Sequence, residues 1–395
     1  MSHDPHHSLT AFANAKLAAL EARHQRRALR ETARGPAMTS RVSGARRVSF
    51  TDNDYLGLST DPETVAASVA ATQRYGAGSG ASRLVTGNHP LYTAVEERLA
   101  RLKGAQAAIV FGSGYLANSG IIPALAGRGD LILADEKVHA CIHAGIRLSP
   151  AEATFFRHND TDHLARLLAE KRGAARHVLI VVDGIYSMDG DMAPLAALAD
   201  LADQYDAWLM SDDAHGLGTV GDGRGAAHAC GVADRVPLKM GTLSKAAGAY
   251  GGYLAAPAPV IELMKSRARS LIYTTGLPPG VLGAADKALE IIETDKARIA
   301  RPMALARHFC TALGLPAPES PIVPLILGSE QRALDGAAAL RERGFDVIAF
   351  RPPTVAPGTA RLRFSFSATH RDADVDGLIA ALNELNLSPL AQETA

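Results

Sequence analysis

The chain of 395 residues carries 41 Lys and Arg against 41 Asp and Glu, so no global field favours nucleic acid or an anionic membrane as a partner. Its length suits one large domain with a smaller one, and 47% hydrophobic residues with 36 glycines fit a soluble globular enzyme scaffold whose glycines serve strand-to-helix turns. Three cysteines, Cys141, Cys230 and Cys310, lie far apart without a C-x-x-C pair, which argues against a disulfide framework or a structural zinc site and fits a reducing compartment.

The opening "MSHDPHHSLTAFANAKLAALEARHQRRALR" has no apolar core of signal-peptide type, and no segment is long enough for a membrane span, so the expectation is an unexported, cytoplasmic protein. His3, His6 and His7 read as a short solvated tail rather than a metal site. Leu and Ala at helical spacing over 9–33, opposite an arginine-rich face, predict an amphipathic helix within an N-terminal helical segment, 1–50.

From about residue 50, apolar β-rich runs alternate with helical stretches such as "HLARLLAEKR" and "PLAALADLADQYD". The runs are "AAIVF" (107–111), "DLILAD" (130–135), "ATFFRH" (153–158), "HVLIVVDG" (177–184), "AWLMSDDA" (207–214), "VPLKMGT" (236–242) and "GGYLAAP" (251–257). This is the pattern of a mainly parallel sheet wrapped by helices, assigned to a large domain over 51–289. A long helix from Pro279 to about Leu313 then leads to a second alternation, a small α/β domain over 290–395.

In an open α/β sheet the ligand sits outside the carboxyl ends of the strands. The polar groups following the apolar runs are "SGYLANSG", "EKVHACIHAG", "DGIYSMDGD", "DDAHGLG" and "TLSK". Lys245 sits in one of them among small residues, where a partly desolvated amine can form a Schiff base with an aldehyde cofactor. A pyridine ring needs a carboxylate against its nitrogen, and Asp212 or Asp213 can supply it. Ser113, Gly114 and Tyr115 fall where a helix should begin, a site for a phosphate, and Thr242 adds a hydroxyl. His139 and His215 each follow a strand, one suited to stack on a flat ring and the other to bond a ring oxygen.

Rival motifs fail on context. "GAGSGA" (76–81) spells a dinucleotide-binding pattern but follows a helical segment rather than a strand. There is no G-x-S-x-G elbow, no Walker A sequence and no H-x-x-x-H partner for "DDAHG", so no metal is expected.

"SDDAHGLGTVGDGRG", "GTLSKAAGAYGGYL" and "DGIYSMDGDMAPL" together resemble the α-oxoamine synthases, pyridoxal-phosphate enzymes of the aminotransferase-like fold type I. The resemblance runs from "FTDNDYLGLS" to "RLRFSFSATH". It implies a decarboxylative condensation of a small amino acid with an acyl thioester, in a homodimer with shared active sites. "RPPTVAPGTARLRFSFSATH" and "SLIYTTGLPP" look most like the biotin-pathway branch, which joins L-alanine to a pimeloyl thioester of coenzyme A or acyl carrier protein. The alternative is a glycine-using member, a 5-aminolevulinate synthase or glycine C-acetyltransferase.

The resemblance implies that Lys245 carries the cofactor, Asp212 faces the pyridine nitrogen, His215 and Ser187 lie at the ring hydroxyl, and His139 stacks on the ring. Ser113, Gly114, Tyr115 and Thr242 would hold the phosphate, with Thr274 or Thr275 reaching it from a second subunit. Asn53, Arg361 and Arg30 would orient the substrate. Two departures are Asp183, where the biotin branch often has Glu, and Arg83, typical of the glycine-using branches.

Overall fold

A computed structural model describes residues 7–22, 26, 29–42 and 44–388; His3 and His6 lie outside the described residues. The N-terminal helix is shorter than its sequence pattern predicts, spanning His7–Ala22 with no residue buried. The chain then forms three short strands, β1 (Thr32–Arg34), β2 (Thr39–Val42) and β3 (Ala45–Ser49), paired antiparallel in that order. Polar and β-branched residues around the Gly35-Pro36 and Gly44 turns override the helical spacing there.

The central sheet has seven strands: β4 (Ala107–Phe111), β5 (Leu131–Asp135), β6 (Glu152–Phe156), β7 (Val178–Asp183), β8 (Trp208–Asp212), β9 (Leu238–Thr242) and β10 (Gly252–Ala256). Their order is β4-β10-β9-β8-β7-β5-β6. β5, β7, β9 and β10 are buried along their whole length, which is why they read as unbroken apolar runs rather than alternating ones. All neighbours pair parallel except β10, which runs antiparallel to both β4 and β9.

That reversal brings the start of β10 against the end of β4. A Cβ at Gly252 would stand 2.4 Å from the Ser113 carbonyl oxygen and 2.7 Å from the Gly114 nitrogen, so only glycine lets the turn after β4 settle there.

The expected long helix is two helices, Pro279–Thr294 and Lys296–Ala312. Asp295 leaves helical geometry between them and caps the second by accepting a hydrogen bond from the Arg298 N–H at 3.0 Å. Leu282, Leu289, Ile292 and Ile299 still pack in one buried core with Tyr55, Tyr92 and Tyr253. Beyond them, β11 (Ile322–Gly328), β12 (Phe345–Asp346), β13 (Ile348–Phe350) and β14 (Ala360–Ser365) complete the strands among the described residues. β14 is the middle strand of the sheet β11-β14-β13, and β12 instead extends the N-terminal sheet by pairing parallel with β3. Val48 and Phe50 accordingly join Phe309, Phe364 and Phe366 in the C-terminal core, so the N-terminal segment is structurally part of that end of the molecule.

Candidate active site

The carboxyl ends of β4, β7, β8 and β9 open onto a cavity of about 220 Å³ lined by Ser113, Gly114, Tyr115, His139, Ser187, Asp212, His215, Thr242 and Lys245. Nine residues given site roles from the sequence thus come together on one rim. Cys141, Asp183 and Ser244 complete much of the wall.

Strand pleat decides between the two candidate aspartates. Asp212 faces the cavity, accepting hydrogen bonds from Asn118 Nδ2 at 2.8 Å and the Ala214 N–H at 2.9 Å. Asp213, the next residue, points to the other side and forms a buried ion pair with Lys103. Asp183 is the register partner of Asp212 on the neighbouring strand. Burial and the adjacent Asp212 charge push the Asp183 carboxyl well above the usual range.

Lys245 follows β9, with Nζ 2.9 Å from His215 Nε2. His215 Nδ1 is 2.7 Å from the Tyr55 hydroxyl, which lies 3.2 Å from Asn53 Oδ1. One pattern satisfies the series: Lys245 donates to Nε2, Nδ1–H donates to Tyr55, and Tyr55 donates to Asn53. Burial pulls the Lys245 amine down to about 8, although the Asp212 and Asp183 charges act to hold it up. Burial and the Lys245 charge hold His215 well below an ordinary imidazole. The neighbouring small residues allow close backbone approach: Gly248 has φ 61°, and a Cβ there would lie 2.2 Å from the Ser59 nitrogen.

Ser113 caps the helix Gly114–Leu125 by accepting from the Leu116 N–H at 3.2 Å. The Gly114 and Tyr115 N–H groups have no acceptor among the described residues, which leaves two oriented donors at the positive end of a helix. Thr242 Oγ1 lies opposite, bonded to the Gly251 carbonyl at 2.7 Å and to Ser244 Oγ at 2.8 Å. Ser244 was within the quoted "TLSK", and its position one residue from Lys245 is the signal that would have found it.

The substrate residues divide. Asn53 lines a second cavity of about 260 Å³ that also holds Arg34, Ser244 and Lys245. Arg30 lines neither cavity and sits in an exposed groove with Arg41, Arg47 and Arg341. Arg361 lines neither cavity; its guanidinium forms an ion pair with Asp189 and bonds the Thr359 carbonyl at 3.0 Å. Two residues along β14, Arg363 donates to the Ser187 carbonyl at 2.5 Å, Asn53 Oδ1 at 3.2 Å and the Tyr55 oxygen at 3.4 Å. Arg363 is 3% exposed and has no carboxylate partner among the described residues. A buried, unneutralised guanidinium at the edge of the site is costly unless an anion joins it.

Arg83 is held by Glu96 at 2.6 Å and packs over the Tyr92 ring, away from the cavity. Thr274 and Thr275 do not line the cavity within one chain; Thr274 bonds the Ser270 carbonyl and Thr275 bridges to Ser82.

A seven-stranded, mainly parallel sheet bearing a depressed-pKa lysine, a facing carboxylate and a helix-end anion site defines a pyridoxal-phosphate enzyme of fold type I. The chain belongs to the aminotransferase class I and II family, whose profile matches residues 46–382. It is 58% identical over 385 residues, 98% of each chain, to 8-amino-7-oxononanoate synthase of Methylorubrum extorquens. Among solved structures it resembles a serine palmitoyltransferase variant from S. paucimobilis with a bound PLP–myriocin aldimine, at TM-score 0.88 and 29% identity, covering 98% of this chain and 100% of that one. It also resembles 8-amino-7-oxononanoate synthase from Francisella tularensis, at TM-score 0.71 and 28% identity over 86% of this chain and 98% of that one.

The cofactor is pyridoxal phosphate. The residues present fit it: the orphan amides of Gly114 and Tyr115 suit its phosphate, Asp212 a protonated ring nitrogen, and Lys245 an aldehyde carbon.

Proposed function

We propose that the protein condenses L-alanine with a pimeloyl thioester, carried by coenzyme A or acyl carrier protein, giving 8-amino-7-oxononanoate, carbon dioxide and the free thiol. The observation that carries this reading is the meeting of Lys245 and Asp212 in one cavity, with the uncompensated Arg363 bonded to the wall residues Ser187 and Asn53, in a chain 58% identical to a relative of that name. Bound pyridoxal phosphate supplies an electron sink that eases bond breaking at the α-carbon of the amino acid.

The protein's own residues do the rest. Arg363 holds the alanine carboxylate in place of its present neutral partners, and its planar fork fixes which α-carbon bond stands ready to break. Lys245, with a pKa of about 8, takes the α-proton and later returns one. Asp212 keeps a proton on the ring nitrogen, and Asn118 and the Ala214 N–H fix the orientation of its carboxylate. His139 Nε2 has no partner among the described residues and donates to the thioester oxygen as that oxygen gains charge. Arg361 steadies the Asp189 loop rather than the substrate.

Exposed Leu84, Val85 and Tyr273, with Thr274 and Thr275 beside them, support a homodimer in which a second subunit completes the phosphate site. No described helix is long and apolar enough to cross a membrane, and the reading places the reaction in the cytoplasm.

The test is free-thiol release from pimeloyl-CoA, succinyl-CoA or acetyl-CoA, each against L-alanine, glycine or L-serine, with Lys245→Ala as the blank. Release confined to pimeloyl-CoA with alanine is the expected result. Release with glycine and a short acyl group would overturn the substrate assignment in favour of the glycine-using reading.

A further inference from the structure

Cys141 takes no part in the chemistry above, yet its thiol joins two sides of the site. It lies in the first turn of the helix Ala140–Leu148, buried, and lines the cavity. Its Sγ is 3.0 Å from Asn118 Nδ2 and 2.8 Å from His139 Nδ1. Asn118 Nδ2 is also the donor to Asp212 Oδ2, at 2.8 Å.

The direction of each bond follows from the chemistry. An ionised carboxylate only accepts, so the amino group of Asn118 faces Asp212, and its second N–H is directed to the sulfur. The sulfur, accepting there, has its S–H left for His139 Nδ1. Burial and the Asp212 charge push the thiol up to about 12, so that proton stays on sulfur across the neutral range. The Cys141 backbone N–H, 3.3 Å away, is a second donor to the same nitrogen. With two donors directed at it, Nδ1 carries no proton of its own. Burial also holds His139 below the ordinary imidazole pKa, so the ring is neutral and its single proton is on Nε2.

We propose that Cys141 is a positioning residue: its thiol, oriented by Asn118 and Asp212, fixes His139 in the Nε2–H tautomer, so that the imidazole always offers the substrate a donor. A substrate carboxylate or a developing thioester oxyanion needs a donor, and the other tautomer would present a lone pair to it. This rests on His139 acting at the substrate as proposed above. Serine at 141 can make the same two bonds. Alanine leaves a buried Asn118 N–H without an acceptor and Nδ1 with only the long backbone contact.

The test uses the PLP-loaded enzyme labelled with ¹⁵N-histidine, with His139 assigned by His139→Gln, in wild type, Cys141→Ser and Cys141→Ala. Long-range ¹H–¹⁵N spectra read the tautomer, and thiol release with alanine is followed from pH 6 to 9. Wild type and Cys141→Ser should show Nε2 protonated and Nδ1 bare. Cys141→Ala should show mixed tautomers and a kcat/KM lower by about tenfold, with unchanged PLP content. A wild-type spectrum with the proton on Nδ1, or a Cys141→Ala enzyme with wild-type tautomer and rates, overturns the proposal. Should Cys141→Ala fail to fold, the wild-type and serine spectra decide alone. The expected tautomers without thiol release from any protein support the role of Cys141 and overturn only the substrate reading.

Discussion

Lys245 Nζ lies 2.9 Å from Nε2 of His215, and burial of the pair pulls the lysine down to about 8 while holding the histidine neutral. A lysine that must attack an aldehyde needs this setting, because only the neutral amine is a nucleophile. Apoenzyme should therefore capture PLP at a rate that rises with pH through about 8 and then levels, as the protonated fraction vanishes. Stopped-flow absorbance of PLP binding checks this; a flat profile from pH 6 to 9 would refute it. Lys245→Ala should fold with an unchanged circular dichroism spectrum, yield no borohydride-trapped cofactor, and lose thiol release by at least about 10²-fold.

Asp212→Asn should bind PLP with near-normal stoichiometry but lower kcat by about 10²- to 10⁴-fold, since the amide cannot hold a proton on the ring nitrogen. Asp213→Asn should instead lower stability, because it strips the buried Lys103 ammonium of its counter-charge. Paired kinetics and urea denaturation separate the two; equal loss of activity at similar stability would contradict the strand-pleat assignment.

Arg363 and Arg361 should part in the same way. Arg363→Lys keeps the charge but loses the fork, and a rise in the KM for alanine of about tenfold or more is expected. Arg361→Lys retains a charge opposite Asp189 and should leave the KM for alanine within about twofold. Steady-state kinetics with varied alanine would expose the reverse pattern.

His158 sits between Asp135 and Asp191, at 3.1 Å and 2.7 Å. Burial disfavours its charge, but hydrogen bonds to both carboxylates outweigh that and raise it to about 9. With the folded pKa above the unfolded value, its stabilisation is complete below about pH 6.5 and fades as pH rises through about 9. His158→Gln should thus cost about 2 to 3 kcal/mol at pH 6 and much less at pH 10. Urea midpoints of both proteins at the two pH values test it; a pH-independent difference would exclude the charged pair.

The central sheet was legible in the sequence because its inner strands are buried on both faces and so appear as unbroken apolar runs ending in polar residues. That pattern alone put Ser113, His139, the Asp212–Asp213 pair, His215 and Lys245 at strand ends on one rim. The N-terminal strands were not legible: Thr32–Arg34 and Thr39–Val42 are short, largely polar, and held by pairing with one another and, through β3, with β12 some 300 residues along the chain. No local spacing records such a partner.

What the sequence by itself determined was the chemistry available: one lysine after a strand, a carboxylate pair with a histidine, and a helix start beyond a serine. The family resemblance pointed to Asp212 and Arg361 within near-equivalent pairs, and only the tertiary structure gives the physical ground for telling the members of each pair apart. Asp212 and Asp213 differ by one step of the pleat, which sends one to the cavity and the other to Lys103. Arg361 and Arg363 lie two apart on the same face of β14, so alternation cannot separate them. The position of the Asp189 loop does, by neutralising the first and leaving the second without a carboxylate partner among the described residues.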